Sequence, residues 1–400
     1  MEQLVGIDRI NLYIPPQYIE MEELAKARGV DPAKFTIGIG QNQMAVTDAM
    51  QDIVVLAINA AAPIVKDQDR ELIDQVIVAT ESAFDYSKAA STYVHEALKI
   101  NPFAKSYEVK EACYAGTAAL QSAADYVRLR PDRKVLVIMT DIARYGLNTG
   151  GESTQGAGAI AMLITANPAI LAIEQESIGF TNNQFDFWRP QYADYPMVEG
   201  RFSTQLYNQT FIEVMEEASR RLPESVGSIE ALAFHLPFTK MGRKAIKAYR
   251  DHLVDKEGSQ VILSKLDQWE EHYDAGTIFS RHVGNIYTGS LYLCLLSLLI
   301  NDRNLSAGDH VGLFSYGSGA VAELLFGQLQ PGYQDAIEIR ALQDLFGDRQ
   351  KLSIQEYEEI YQEKLTQSDE KVEYPVTVEA GRFYLAEIDH HRRYYRQAPQ

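Results

Sequence analysis

The chain has 400 residues, 46% hydrophobic and 23% charged, an ordinary globular composition with room for one large domain or two packed halves. Its formal net charge of −18 repels nucleic acid and anionic membranes, so any anionic ligand must find a local basic patch. Cys113 and Cys294 are the only cysteines and lie far apart, without C-x-x-C or metal-ligand spacing, which excludes a disulfide framework and a zinc site.

The N-terminal MEQLVGIDRINLYIPP has no basic segment leading into an apolar one, so no signal peptide is expected and the cytoplasm is the expected location. A helical pattern covers 51–65, followed by an apolar strand at 77–80 within QVIVATES, which ends on Glu81. A carboxylate at the rim of a buried strand is partly desolvated, and its pKa rises toward that of a general acid or base. A solvated turn residue is the alternative. Next comes VKEACYAGT, with Cys113 just before a helix predicted at 118–129. A thiol at a helix N-terminus meets unpaired N–H groups and the positive end of the dipole, which favours thiolate and offers donors to an oxyanion. A free cysteine is equally at home as a small buried hydrophobe, and local sequence leaves both readings open.

Apolar strands are predicted at 134–140 and 159–165. From about 167 to 222 the aromatic cluster Phe185-Asp-Phe-Trp-Arg-Pro, with Tyr192 and Tyr195, reads as a lid or wall, with a helix at its end over 212–222. The strand at 229–236 carries His235, the residue type best suited to proton transfer near neutrality. A satisfied core histidine is the competing reading. Lys240 to Arg250 follow with five cations and no acid among eleven residues, either a phosphate-receiving patch or a solvated helix face. Asn285 is an N-cap or a ligand donor. The apolar run from Leu291 to Ile300 is about half the ~20 residues needed to span a bilayer, and reads as a buried helix. A strand at 310–316 leads to Ser318, between two glycines, whose backbone N–H suits an oxyanion hole. The Gly-x-Gly pairs at 156 and 317 lead into strands and are not dinucleotide fingerprints. The acidic and polar stretch 347–373 reads as a solvated helical segment.

Strands and helices alternate as in an α/β layered architecture. An internal repeat is also visible: GAGAIAMLIT from Gly156 and GSGAVAELLF from Gly317 match at five of ten positions. Tyr114-Ala-Gly-Thr and Tyr287-Thr-Gly-Ser echo each other upstream of that pair. Two pairs in the same order point to duplicated halves, 1–166 and 167–400, whose equivalent loops meet at a shared centre. Ile286 then stands opposite Cys113.

IVATESA, KEACYAGTAALQ, DIARYGLNTGGESTQGAGAIAM, DFWRP, FHLPFTKMGRKA, VGNIYTGSLYL and LFSYGSGAVAE, taken together, resemble the bacterial hydroxymethylglutaryl-CoA synthase family, over nearly the whole chain but thinning after about 335. The resemblance implies a thiolase-like αβαβα five-layer sandwich and a homodimer. It implies acetyl-CoA and acetoacetyl-CoA as substrates, no cofactor beyond these thioesters and no metal. Cys113 would be the nucleophile, Glu81 the base at the acetyl methyl, and His235 the partner of the acetoacetyl carbonyl. Asn285 would contact the acetoacetyl group, and Ser318 the carbonyls. Tyr145, Thr154, Asp186, Phe187 and Ser203 would line the acyl pocket, while Asp31, Lys240 and Lys244 would touch CoA. A biosynthetic thiolase would want a cysteine at Ser318, and a type III ketoacyl synthase has no need of Glu81. A polyketide β-branching enzyme would take a carrier-protein-bound acceptor, which the acidic charge disfavours, and an inactive scaffold subunit sits poorly with the intact Cys113, Glu81 and His235.

Overall fold

The computed structural model describes residues 3–254, 256, 260–365 and 369–400. In the first half, β1 (Val5–Tyr13), α1 (Ile53–Ala61), β2 (Ile73–Ala79), α2 (Ala90–Ala97) and β3 (Lys105–Val109) are followed by α3 (Ala115–Leu129), β4 (Lys134–Ala143) and β5 (Gly156–Ala166). The second half runs β6 (Leu171–Ile173), β7 (Ile178–Thr181), α4 (Gly200–Arg221), β8 (Ile229–Phe234) and α5 (Met241–Leu253). It continues with α6 (Gln260–Val283), α7 (Ser290–Asn301), β9 (His310–Gly317) and β10 (Val321–Leu329).

The strands join into one ten-stranded sheet in the order β8-β9-β10-β6-β1-β5-β4-β2-β3, with β7 pairing β10. Its halves repeat one pattern. β2 runs parallel to β4 and β8 parallel to β9, whereas β4–β5 and β9–β10 are antiparallel, as are β5–β1 and β10–β6. The strands buried on both faces are the near-continuous apolar runs of the sequence, as expected of a covered sheet. The halves meet at β1–β6 through Gly6↔Ala172 and Ile7↔Leu171. A Cβ on Gly6 would lie 2.0 Å from the Leu171 carbonyl oxygen, so this junction requires glycine.

α1 and α2 cover one face of the first half-sheet, α4 packs on β10 and on α5 in the second, and α3 and α7 lie between the halves. Thr117 on α3 and Tyr292 on α7 join across that central layer, hydroxyl to hydroxyl, at 2.9 Å. This is the five-layer αβαβα arrangement. Among the described residues β3 has no counterpart in the second half. There α6 lies along β8 instead, with Trp269 Nε1 donating to the Ile229 carbonyl at 3.2 Å, which covers an otherwise open edge. α7 is apolar all round and buried along nearly its whole length, as a central helix should be.

Two expectations need correction. The stretch 167–222 is framework for most of its length, because β6, β7 and the body of α4 belong to the layers; only about 182–199 stands apart as a wall. Helix α4 begins at Gly200, not near 212: its first turns carry Ser203, Thr204 and Tyr207 toward a cavity, so the apolar period starts only later. The segment 347–373 holds a short strand at 350–351 and a helix at 354–362 that buries Tyr357 and Tyr361; residues 366–368 lie outside the described residues.

Candidate active site

Strand β2 ends at Ala79 and β4 runs on to Ala143, and the segment before α7 closes over both ends. Thr288 Oγ1 donates to the Ala79 carbonyl at 3.1 Å and to Asp141 at 2.5 Å. Close approach of the halves is possible here because Gly116 lacks a side chain: a Cβ would lie 2.5 Å from the Thr288 carbonyl oxygen. The start of α3 and its counterpart in the second half thus touch, and the Cys113 position and buried Ile286 flank this centre.

Cys113, Tyr145, His235, Asn285 and Ser318 share the wall of a cavity of about 580 Å³. Thr154, Phe187 and Ser203 line it too. Ala112, just before the cysteine, has φ 42°, a left-handed conformation that a non-glycine residue adopts at a cost. Glu81 stands beside Cys113, whose Sγ donates to Glu81 Oε2 at 3.5 Å.

The electrostatics differ from the sequence expectation for the thiol. Burial pushes Cys113 well above its ordinary range, and Glu81 and Asp141 add to this; α3 begins only at Ala115, and the neighbouring carboxylates outweigh its dipole. Burial likewise raises the Glu81 carboxyl to about 8, with Asp141 adding in the same direction. The Cys113–Glu81 pair therefore rests as thiol and carboxyl or carboxylate, not as a thiolate. His235 is buried, and burial lowers its pKa to about 3, so the ring is neutral. Its Nδ1 has no hydrogen-bond partner among the described residues.

Asp141 escaped sequence reasoning, although a lone acid closing the apolar run KVLVIMT was a signal. It is fully buried and accepts from Thr80 Oγ1 (3.0 Å), the Glu81 amide (2.7 Å), Ser82 Oγ (2.8 Å) and the Thr288 amide (3.0 Å). Burial raises it to about 6. It ties the Glu81 backbone to the second half. Arg189, from the wall, donates to the Glu81 carbonyl at 2.7 Å.

Opposite the thiol, Tyr145, Phe187 and Tyr287 form an edge-to-face trio with ring centroids 6.0–6.1 Å apart. Asn285 Nδ2 donates to Tyr145 Oη at 3.2 Å, while its Oδ1 accepts from the Tyr287 amide and Ser290 Oγ. Asn285 is not the N-cap of either following helix, those positions being Ile286 and Gly289; its side chain instead holds the turn before them and lines the cavity. Asp186 does not line the cavity: it is fully buried, and accepts from Ser203 Oγ (3.2 Å), Tyr316 Oη (2.9 Å) and the Gly319 amide (3.0 Å). It braces the wall instead of presenting a free carboxylate.

Asp31, Lys240 and Lys244 also lie outside the cavity lining. Exposed Asp31 caps its own turn, its Oδ1 accepting from the Ala33 amide. The Lys240 amide donates to the Ile39 carbonyl at 3.1 Å, which joins the 31–40 loop to the start of α5. Lys244 Nζ sits 4.8 Å above the Phe238 ring, and Phe238 is in the cavity wall. These cations therefore stand at the rim, beside Phe238 and Met241, two apolar lining residues that the sequence reading did not single out. Among the described residues no group of three or more His, Cys, Asp or Glu is placed to hold a metal ion, and no helix is long and apolar enough to cross a membrane.

Residues 1–169 match the family described as hydroxymethylglutaryl-coenzyme A synthase N terminal, and 245–398 match its C-terminal counterpart. The hydroxymethylglutaryl-CoA synthase of Enterococcus faecalis is 50% identical, covering 92% of this chain and 94% of its own. A polyketide biosynthesis 3-hydroxy-3-methylglutaryl-ACP synthase of Bacillus subtilis is 29% identical over 98% of both chains. A crystal structure of HMG-CoA synthase complexed with CoA superposes with a TM-score of 0.92 at 41% identity, covering 99% of this chain and 100% of its own. Another structure, in complex with 3-hydroxy-3-methylglutaryl coenzyme A, gives 0.88 at 33% identity over the whole of both chains.

Proposed function

The chain belongs to the hydroxymethylglutaryl-CoA synthase family, and from that premise we propose that Cys113 carries the acetyl group of acetyl-CoA while Glu81 and His235 direct its condensation with acetoacetyl-CoA. The observation that carries this is the 3.5 Å contact of Cys113 Sγ with a carboxyl whose pKa lies near 8, beside a neutral histidine in the same cavity.

Such a pair transfers a proton at little cost. Glu81 takes the thiol proton as sulfur attacks the acetyl carbonyl; CoA leaves as thiolate and receives that proton, and an acetyl thioester remains on Cys113. With the site closed over the acyl group, the Glu81 carboxylate removes a proton from the methyl, and the enolate oxygen needs nearby donors. The nucleophilic carbon then bonds to the ketone carbon of acetoacetyl-CoA. The neutral His235 ring supplies hydrogen bonding to the oxygen that becomes an alkoxide, and the proton that Glu81 took from the methyl passes to that oxygen, giving the tertiary alcohol and restoring the carboxylate. Water finally cleaves the thioester, giving the carboxylate of 3-hydroxy-3-methylglutaryl-CoA and free Cys113. That product feeds the mevalonate route. No bound cofactor is required, since both thioesters are substrates.

The acceptor is read as a CoA ester in preference to a carrier protein. The CoA-dependent relative stands at 50% identity and the carrier-protein enzyme at 29%, and the Lys240–Lys244 rim suits CoA phosphates. A homodimer is also proposed. β3 is the outer strand of the sheet, with Tyr107 on it and Phe103 beside it exposed, and such an edge favours cover by a second copy. Incubation with acetyl-CoA followed by mass spectrometry tests the central assignment. Wild type should gain an acetyl group rapidly, Glu81→Ala should gain it more slowly, and Cys113→Ala should not gain it. Absence of the adduct on wild type, or condensation by Glu81→Ala at the wild-type rate, would refute it.

A further inference from the structure

Tyr357 and Tyr361, on the helix Ile354–Gln362, are buried, and both hydroxyls reach the loop that forms one side of the acyl cavity. Tyr361 Oη donates to Gln155 Oε1 at 3.0 Å and accepts from the Gly146 amide at 2.9 Å. Tyr357 Oη accepts from Gln155 Nε2 at 2.9 Å and donates to Glu152 Oε1 at 3.2 Å. The Gln155 amide is thus held at both ends, and its Oε1 also accepts the Tyr145 N–H at 2.7 Å.

Glu152 is anchored in turn. Arg28 grips it with two bonds, at 2.9 and 2.8 Å, and reaches Glu358 on the C-terminal helix at 2.5 Å. At Gln155 the loop has no slack. A Cβ on Gly156 would lie 2.7 Å from the Asn285 carbonyl oxygen, and one on Gly284 would lie 2.0 Å from the Gln155 carbonyl oxygen. Loop 145–155 is therefore clamped between the C-terminal helix and the Asn285 segment.

We propose that Gln155, oriented by Tyr357 and Tyr361, is a positioning residue for the second substrate: it sets the Tyr145 backbone and so the Tyr145–Asn285 pair that faces the acetoacetyl group. The proposal rests on the function assigned above. It gives the C-terminal helix a part in substrate selection that its acidic, solvated sequence did not suggest. Among the described residues no hydrogen bond joins Cys113 or Glu81 to Gln155, Tyr357 or Tyr361, so acetylation and condensation should respond differently when the clamp is loosened.

Tyr361→Phe keeps the ring and removes the hydroxyl, and Gln155→Leu removes all three side-chain amide contacts. For Tyr361→Phe the KM for acetoacetyl-CoA should rise about tenfold, the effect of losing the two hydrogen bonds of its hydroxyl, while the rate of acetyl-Cys113 formation stays within about twofold of wild type. Adding Tyr145→Phe to Tyr361→Phe should cost less than the sum of the single changes, because both act on one pair. An unchanged KM, or acetylation falling in step with condensation, would overturn the proposal, and so would strict additivity. If Gln155→Leu does not fold, Tyr361→Phe decides the matter alone. Failure of wild type to acetylate would instead sink the assigned function, so the two failures are distinguishable.

Discussion

Cys113 and Glu81 lie 3.5 Å apart in surroundings that favour the protonated form of each, so the pH dependence of this pair is its most direct signature. In the folded chain Glu81 titrates near 8 where its ordinary value is 4.5. Between those values the native state holds a proton that the unfolded state has lost, so this carboxyl lowers stability as pH rises. Glu81→Gln removes that penalty. The difference in Tm between Glu81→Gln and wild type should grow in favour of the variant from pH 5 to pH 8, and a difference independent of pH would contradict the shift. Condensation of pre-acetylated wild-type enzyme should climb as pH rises past about 8, because the base must be ionised to take the methyl proton and acetylation removes the Cys113 hydrogen bond that lowers its pKa. At this scale the sequence singled out Glu81 and His235 through their places in apolar runs and Cys113 through its place just before a helix. The sign expected for the thiol's pKa was wrong, since its burial, and with it the approach of the Glu81 and Asp141 carboxylates, is set by packing of distant segments.

Among the elements, strands read from unbroken apolar runs appear close to where they were expected, because a strand buried on both faces needs apolar residues at nearly every position. α4 was shortened in the reading because its first turns serve the cavity instead of the core. Where helices meet the site, the fit is set by glycine. Gly116 lies in the first turn of α3 with the Thr288 carbonyl and Met139 against it. Gly116→Ala must push residues 287–289 away, and should destabilise the chain by about 1–3 kcal/mol, as overpacking does, with turnover falling too. Gly200→Ala, at the start of α4 where an added Cβ meets nothing within 4 Å, is the control and should leave Tm nearly unchanged. Thermal unfolding and a turnover assay of both variants check this; equal behaviour would mean the central contact tolerates a methyl group.

The whole molecule carries a net charge of −18, yet its proposed ligands are polyanions. The rim cations must therefore act locally against a repulsive field. Lys244→Glu should raise the KM for both CoA substrates with a smaller effect on kcat, and an unchanged KM would remove Lys244 from the rim's work. The open β3 edge leads to a second expectation: sedimentation equilibrium should return the mass of two chains, and a monomer would refute the proposed pairing.

Sequence alone determined the alternation of strands and helices and the duplication, and nominated Cys113, Glu81 and His235 beside their bland alternatives, because each feature is recorded locally: in a run of apolar residues, a repeated Gly-x-Gly-Ala, or an ionisable group breaking a pattern. Only the tertiary structure decided that Asp141 underlies Glu81, that Asp186 is a brace, and that Tyr357 and Tyr361 reach Gln155 across some two hundred residues of sequence. These depend on which carboxylates and hydroxyls share a dry volume, and desolvation and hydrogen bonding there are properties of packed neighbours, not of sequence spacing.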